Sequence, residues 1–492
     1  MNVLFIYTKP PPSVLILQKR TYHYGIGILS AVLKKHGHHT GLLSLHELNR
    51  KRIRRFIKEF KPGLVAISVT SNQFELSRDI TGFIHEEYGI PVVWGGVHPT
   101  VRPEECICTH GVLGICRGEG EYPLLELAEV LEKKRLLSGE DLKIKNFWFN
   151  WDSRVLKNPI RPMIQDLDSL PFCDREIFDF QKLLNYHQYL EVRSSRGCPF
   201  KCSFCVNAFY QKLYREKGRY YRVRSHESIL AEIESLVSTY KNINFIVFDD
   251  ELISVNKKWT LGLMEKYKKA FDFSFNITVR ADLVTRDFMK ALKDAGCKLV
   301  MMGVESGDET LRNQVLEKGI SNEQIIEAAR IIKETGINLW TFNMVGVPFE
   351  TPGSAEKTIR LNKQIKPDIV YVSVFYPFPG TKSGELCQKK GWISDRKIDG
   401  FFSNVTVLDQ PTITKEQVAY YHNIFPWEVL YPHLAPVIKI TARIMLGRKS
   451  VYDLLFPLVK IVYEFYHRFK LTMKLIPFRR PNISFVKQKQ VR

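Results

Sequence analysis

At 492 residues the chain is too long for one ordinary core, and roughly two to four domains are expected. Its 45% hydrophobic and 25% charged content exclude a disordered chain, and nine cysteines, scattered apart from a central triad, exclude a disulfide scaffold and point to a reducing cytoplasm. The net charge of +20 admits nucleic acid or an anionic membrane surface as partners, but solvated lysines alone account for it equally well.

In chain order, the N-terminal residues show no basic leader or cleavage site, and Val3 to Tyr7 reads as a first strand. Gly27 to Lys35 has helical spacing and stops near Gly37. Leu64 to Val69 reads as the next strand, and Pro91 to Trp94 runs as a further strand into Gly95 and Gly96. This β-α rhythm predicts a doubly wound, Rossmann-like parallel sheet over residues 1–145. Such sheets bind ligands beyond the carboxyl ends of their strands. The candidate ligand loops therefore carry Ser68, Thr70 and Asn72, then Gly95, Gly96 and His98, then Gly118 and Glu119.

Residues 146–185 read as a connector, with Pro159, Pro162 and Pro171 and little periodicity. A second β/α series follows over residues 186–395. Its strand candidates are Tyr189–Val192, Asn244–Phe248, Phe273–Ile277, Lys298–Met302, Asn338–Asn343 and Ile369–Ser373. Polar residues or glycines come after these strands: Asp249 and Asp250, Arg280, Glu305 to Gly307, and Gly346 to Pro348. Six such units predict a partial TIM-type (β/α)6 barrel whose site lies at the C-terminal ends of the strands. Residues 396–492 change character and read as a helical region with a basic tail. Trp427, Tyr431, Tyr452, Phe456, Tyr463 and Phe465 lie there among basic residues, without an apolar run of about 18 residues that could span a bilayer. Aromatic and basic helices of this kind suit either a membrane interface or a lid packed on the barrel.

The chemistry is concentrated in one loop, Ser195 to Asn207, which holds Cys198, Cys202 and Cys205. A closed zinc site takes four ligands, and the next histidine is the distant His226. A disulfide would leave one thiol over. An iron–sulfur cluster fits, with three irons held by cysteine and the fourth open to an outside ligand.

With Gly197, Pro199, Phe200 and Phe204 around it, this loop resembles the signature of radical S-adenosylmethionine (SAM) enzymes. Four later segments are similar to motifs of that family in the same order: Val279 to Leu283, Gly303 to Gly307 with Lys318 and Gly319, Gly346 to Thr351, and Phe378 to Thr381. The first domain resembles the cobalamin-binding domain fused to many such enzymes, through Trp94 to Thr100, Pro103 to Glu105 and Gly118 to Glu121. The resemblance covers about residues 1–395 and implies a [4Fe-4S] cluster, SAM and cobalamin as cofactors, with an external electron donor.

By the resemblance, the open iron would take the amine and carboxylate of SAM, and Phe204 would lie near its adenine. Glu305 and Ser306 would meet the ribose or amino group, Arg280 a carboxylate or ribose, and Val345 and Gly346 the adenine. Asp249 and Asp250 would either cap the next helix or meet the SAM amine. The D-x-H-x-x-G loop of cobalt-ligating domains is missing, so cobalamin is expected without a protein histidine on cobalt. Its lower face would then meet residues 68–72, with His98 as a hydrogen-bonding residue.

The function implied is methyl transfer to an unactivated carbon, with a radical oxidative cyclase or rearrangement enzyme of tetrapyrrole type as the alternative. An RNA-modifying methylthiotransferase would use further cluster cysteines, and Cys106, Cys108 and Cys116 are crowded enough to be considered. The substrate expected is a small molecule of lipid, isoprenoid or tetrapyrrole type. Peripheral contact at the inner membrane surface is expected, and nucleic acid is not.

Overall fold

A computed structural model describes residues 1–9, 22–134, 137–394 and 405–434, together with positions 436 and 439. Its packing forms two units that interleave along the chain. One comprises Met1–Leu183, Pro199–Arg222 and Tyr376–Ser403, the other Leu184–Cys198, Val223–Phe375 and Asn404–Arg492.

The first unit is built on a seven-stranded sheet, β1 (Asn2–Thr8), β2 (His39–Leu45), β3 (Leu64–Ser68), β4 (Val92–Gly95), β5 (Val112–Cys116), β6 (Phe147–Trp151) and β7 (Arg154–Lys157). The strand order is β2-β1-β3-β4-β5-β6-β7. β1 to β5 run parallel, while β6 and β7 are added antiparallel at one edge. Its helices are α1 (Tyr24–Lys35), α2 (Arg50–Phe60), α3 (Phe74–Tyr88), α4 (Val97–Val101), α5 (Pro103–Ile107) and α6 (Glu121–Lys133). Helices cover both faces, so two apolar cores form. One packs Val3, Phe5 and Phe147 against α1 and α6, and the other packs Leu4, Ile6 and Trp94 with α2 and α3. The parallel part is the doubly wound sheet expected. The start of the expected connector, however, folds as β6 and β7, and Phe147 and Phe149 of β6 are buried in the core.

α7 (Phe180–His187) leads into β8 (Tyr189–Val192). The two-residue strands β9 (Ser195–Arg196) and β10 (Arg222–Val223) stand on either side of the cysteine loop in the chain, and α8 (Asn207–Leu213) lies between them. The second sheet comprises β8, β11 (Phe245–Phe248), β12 (Ser274–Val279), β13 (Cys297–Glu305), β14 (Asn338–Val345) and β15 (Ile369–Val374). Its order is β15-β14-β13-β12-β11-β8 and all pairs are parallel, with β8 and β15 left as unjoined edges. That is the partial barrel expected, and each strand lies within a few residues of its predicted place. The crossover helices are α9 (His226–Thr239), α10 (Lys257–Ala270), α11 (Arg286–Asp294), α12 (Asn322–Glu334) and α13 (Pro352–Ile365).

Two further helices follow, α14 (Lys382–Lys389) and α15 (Lys415–Leu430). A capping box starts α15, with Thr414 and Gln417 satisfying each other's backbone N–H groups. Its apolar side, Val418, Tyr421, Ile424 and Phe425, is buried with Val345, Ile359 and Val372 of the second unit. Within the expected helical region, Lys415–Leu430 is therefore a core helix. The later aromatic positions, Tyr452, Phe456, Tyr463 and Phe465, and the basic tail from Phe478 lie outside the described residues. No helix among the described residues is long and apolar enough to cross a membrane.

Candidate cofactor sites

The three loop cysteines differ from most of the others in their surroundings. Cys198, Cys202 and Cys205 are all half-buried, whereas Cys106, Cys116, Cys173, Cys297 and Cys387 are buried and Cys108 is exposed. Burial pushes the thiols of Cys116, Cys297 and Cys387 up to about 12, and that of Cys106 higher still. These are held as neutral thiols, while a cluster needs thiolates it can reach. The loop is therefore the donor set that fits an iron–sulfur cluster. Among the described residues no three His, Cys, Asp or Glu side chains converge on a single ion. A cluster does not require such convergence, since each cysteine binds a different iron.

Asp250 prepares the chain ahead of the loop. Its buried carboxylate accepts the N–H and O–H of Ser194 at 3.0 and 2.8 Å and both those of Ser195 at 2.5 Å. Burial nevertheless raises its pKa to about 6. Asp249 pairs with Arg193 at 2.8 Å, and the next helix, α10, takes Asn256 as its N-cap. Neither acid caps a helix. Asp250 anchors the segment entering the cysteine loop.

At the carboxyl ends of β12 and β13 the candidate SAM residues are joined through Lys318. The Arg280 guanidinium donates to the Lys318 carbonyl and to Asp282 at 2.9 Å, and Lys318 Nζ pairs with Glu305 at 2.8 Å. Glu305 adopts φ +66°, a left-handed conformation that costs a non-glycine residue about 1–3 kcal/mol. Gly303 leaves room for the ion pair, because a Cβ there would collide with the Glu305 carboxylate and Lys318 Nζ. Ser306 is turned inward. Its hydroxyl accepts the Asp308 N–H at 3.2 Å, and its carbonyl accepts from the fully buried Arg312 at 2.6 Å. Phe204 is half-buried in the cysteine loop.

Val345 ends β14, and Gly346 turns the chain at φ +77°. The Gly346 N–H donates to Glu350 at 2.5 Å, while the other carboxyl oxygen of Glu350 is buried without a partner. From beyond the sheet, Gln410 donates to the Val347 carbonyl at 3.0 Å and accepts the Phe349 N–H at 2.8 Å, and Val418 lies over Gly346. Gln410 and Val418 are contributors that no local sequence signal marks. A charged pair, a strained backbone at Glu305 and an orphaned buried oxygen of Glu350 fit a zwitterionic adenosyl ligand.

Burial raises the Glu350 pKa to about 8. The folded state then holds the proton more tightly than the unfolded chain, so stability declines as pH climbs from the ordinary carboxyl range through about 8. Glu350→Gln keeps the shape without the titration and will lose less stability than the parent between pH 5 and pH 8 in denaturant melts. Identical slopes for the two proteins would refute the assignment.

In the first unit, register places Ser68 beside Gly95 at the ends of β3 and β4. Ser68 Oγ lies 3.3 Å from His23, and Thr70 donates to Asn72 at 2.7 Å. His98 is buried, with Nδ1 3.0 Å from Ser71 and Nε2 without a hydrogen bond. Desolvation lowers its pKa to about 4, so the ring is neutral at neutral pH. Gly96 sits at φ +102°, where a Cβ would press on the Val69 backbone at 3.0 Å, whereas a Cβ at Gly95 would meet nothing closer than 4.0 Å. The Nε2 atom of His98 lies 3.7 Å from the Glu105 carboxylate, and the space over Gly95 at the strand end fits the approach of a large planar ligand. Gly118 and Glu119 are differently placed. Gly118 packs on Tyr214, and the Glu119 carboxylate holds Arg222 at 2.8 Å and the Ile164 N–H at 2.9 Å.

A doubly wound sheet with a glycine-lined strand-end surface, and an open parallel β/α sheet whose first strand leads to a three-cysteine loop, define a cobalamin-domain radical enzyme. Residues 192–361 match the radical SAM superfamily and residues 16–128 match the B12 binding domain. An uncharacterized methyltransferase of Pyrococcus horikoshii is 30% identical over 346 residues, 69% of this chain and 72% of the relative. The chain belongs to the radical SAM superfamily, among its members with a B12 binding domain. The anaerobic magnesium-protoporphyrin IX monomethyl ester cyclase of Rubrivivax gelatinosus is 26% identical over 341 residues, 68% of this chain but only 60% of the cyclase. Among solved structures, the cobalamin-dependent SAM radical enzyme OxsB with aqua-cobalamin and SAM bound shares the fold. Its TM-score is 0.68 at 18% identity, over 94% of this chain and 71% of that one. The cofactors of the chain are a [4Fe-4S] cluster, SAM and cobalamin.

Proposed function

We propose that the chain transfers a methyl group to an unactivated carbon of a small molecule of lipid, isoprenoid or tetrapyrrole type. The observation that carries this reading is the pairing of a three-cysteine loop on a partial barrel with an open, glycine-lined surface on the B12 binding domain. The methyltransferase of Pyrococcus horikoshii supports it. When bound, the cluster supplies one electron to cleave the SAM sulfonium, and cobalamin supplies a methyl carrier.

The chain's own residues bind and orient. Cys198, Cys202 and Cys205 leave one iron free. Arg280 and Lys318 offer cationic groups and Glu305 an acceptor to the ends of SAM, and Val345 and Gly346 let a flat base approach the backbone. Ser68, Thr70, Gly95, Gly96 and His98 would form the floor for cobalamin, with the backbone of the Gly118 loop tied to it through Thr100. The buried Cys106 and Cys116 speak against a second cluster of the methylthiotransferase kind.

The similarity to the magnesium-protoporphyrin cyclase favours a second reading, radical oxidative cyclisation. Anaerobic incubation with SAM, a reductant and a panel of tetrapyrroles and isoprenoid lipids separates the two by mass spectrometry. S-adenosylhomocysteine with a product heavier by one methylene supports methyl transfer. 5′-deoxyadenosine with an unmethylated, oxidised product replaces it with cyclisation.

A peripheral membrane contact would belong to the residues after Leu434, where Arg479, Arg480, Lys487, Lys489 and Arg492 occur without an acid after Phe478. Flotation with anionic liposomes should be strong for the full chain and lost in a chain ending at residue 434. Equal flotation of the two would remove this reading.

A further inference from the structure

The helix after the cysteine loop carries contacts that no cofactor assignment uses. α8 opens at Asn207, whose side-chain amide lies 3.5 Å from Cys205 Sγ and whose carbonyl accepts the Tyr220 hydroxyl at 2.6 Å. Just past the end of the helix, the Tyr214 hydroxyl accepts the Glu119 N–H at 2.8 Å, and a Cβ on Gly118 would collide with that hydroxyl. The loop itself is held at Ser203, which meets the Ser383 side chain at 2.6 Å and accepts its N–H at 3.0 Å.

Thr100 is the junction. Its fully buried hydroxyl donates to the Gly96 carbonyl at 2.7 Å and accepts the Gly118 N–H at 3.0 Å. The loops after β4 and β5 thus meet at one oxygen, and Tyr214, just past α8, holds the second of them through the Glu119 N–H.

We infer that α8 couples the two cofactor loops, so that a cluster held by Cys202 and Cys205 tightens cobalamin binding at the Gly96 and Gly118 loops, with Thr100 and Tyr214 as positioning residues. The inference rests on the reading of those cysteines as cluster ligands and of those loops as the cobalamin floor. The physical basis is ordering. A bound cluster fixes α8, Tyr214 then fixes the Gly118 turn and, through Thr100, the Gly96 turn, and cobalamin meets loops whose ordering cost has already been met. The coupling is reciprocal, as linkage requires.

The test is the dissociation constant of aquocobalamin, followed by visible absorbance, for the full chain with and without reconstituted cluster. Cluster-loaded protein should bind about 5–10-fold more tightly, the lower part of the usual coupling range. In Thr100→Val and in Tyr214→Phe the ratio should fall to about 1, while Thr100→Ser, which keeps the hydroxyl, should retain it. Tyr214→Phe removes a single oxygen and leaves the ring under Gly118, so it decides the matter if Thr100→Val does not fold. A parent ratio of 1, or a parent-like ratio in Tyr214→Phe, overturns the inference. Parent protein that takes up no iron or no cobalamin instead overturns the underlying reading.

Discussion

Replacing Cys202 by alanine will abolish the cluster absorbance and reductive SAM cleavage while the chain still folds and binds cobalamin. The loop has only three cysteines, so two remaining thiolates cannot hold three irons of the cluster. The buried cysteines cannot take over. Cys106, Cys116, Cys297 and Cys387 are buried with raised thiol pKa values, and Cys173 is buried beside Tyr22, 2.8 Å from its hydroxyl. Losing an outer partner of a metal ligand costs about 10–100-fold, so losing the ligand should lower 5′-deoxyadenosine formation by more than about 100-fold. Cys387→Ala serves as the control and should keep its iron. Four irons per chain in the Cys202→Ala protein would remove Cys202 from the ligand set.

Strands were legible in the sequence where burial on both faces makes an apolar run, as in Leu64 to Ser68 or Ile369 to Val374. Phe147 to Trp151 was not, because its buried stretch is only three residues long and breaks at the exposed Asn150. The site shows the same division. The three cysteines are close in sequence, so their chemistry can be read from spacing. Glu119 stands in a glycine-rich loop that reads as a ligand contact, yet its carboxylate is committed to Arg222 and Ile164. Those partners are far away in sequence, and nothing local announces them. Asp250 is similar: an acid after a strand suggests a helix cap, whereas its partners are the two serines leading to the cysteine loop. Spacing conveys what neighbouring residues do together, and packing decides which polar groups remain available to a ligand.

Phe425→Ala will be among the most destabilising single changes in the second unit and will weaken SAM binding with it. Phe425 is fully buried in α15, within the apolar cluster that includes Val345, the residue before Gly346. Truncating a buried phenylalanine costs about 3–5 kcal/mol, a large part of the stability of a typical domain. The loop after β14 is held from the same segment, by Gln410 on its backbone and by Val418 over Gly346. Gln410→Ala separates the two effects, since it removes hydrogen bonds to Val347 and Phe349 and leaves the core intact. It should cost about 1–3 kcal/mol and raise the SAM dissociation constant. A Phe425→Ala loss below about 1 kcal/mol, the range of ordinary surface changes, would mean that α15 is not part of this core. The same reasoning governs where the chain can be cut. Ending it near residue 410 removes α15 and the cover of Gly346, so lost liposome binding in such a protein would report a broken barrel, whereas ending it at residue 434 leaves that core in place.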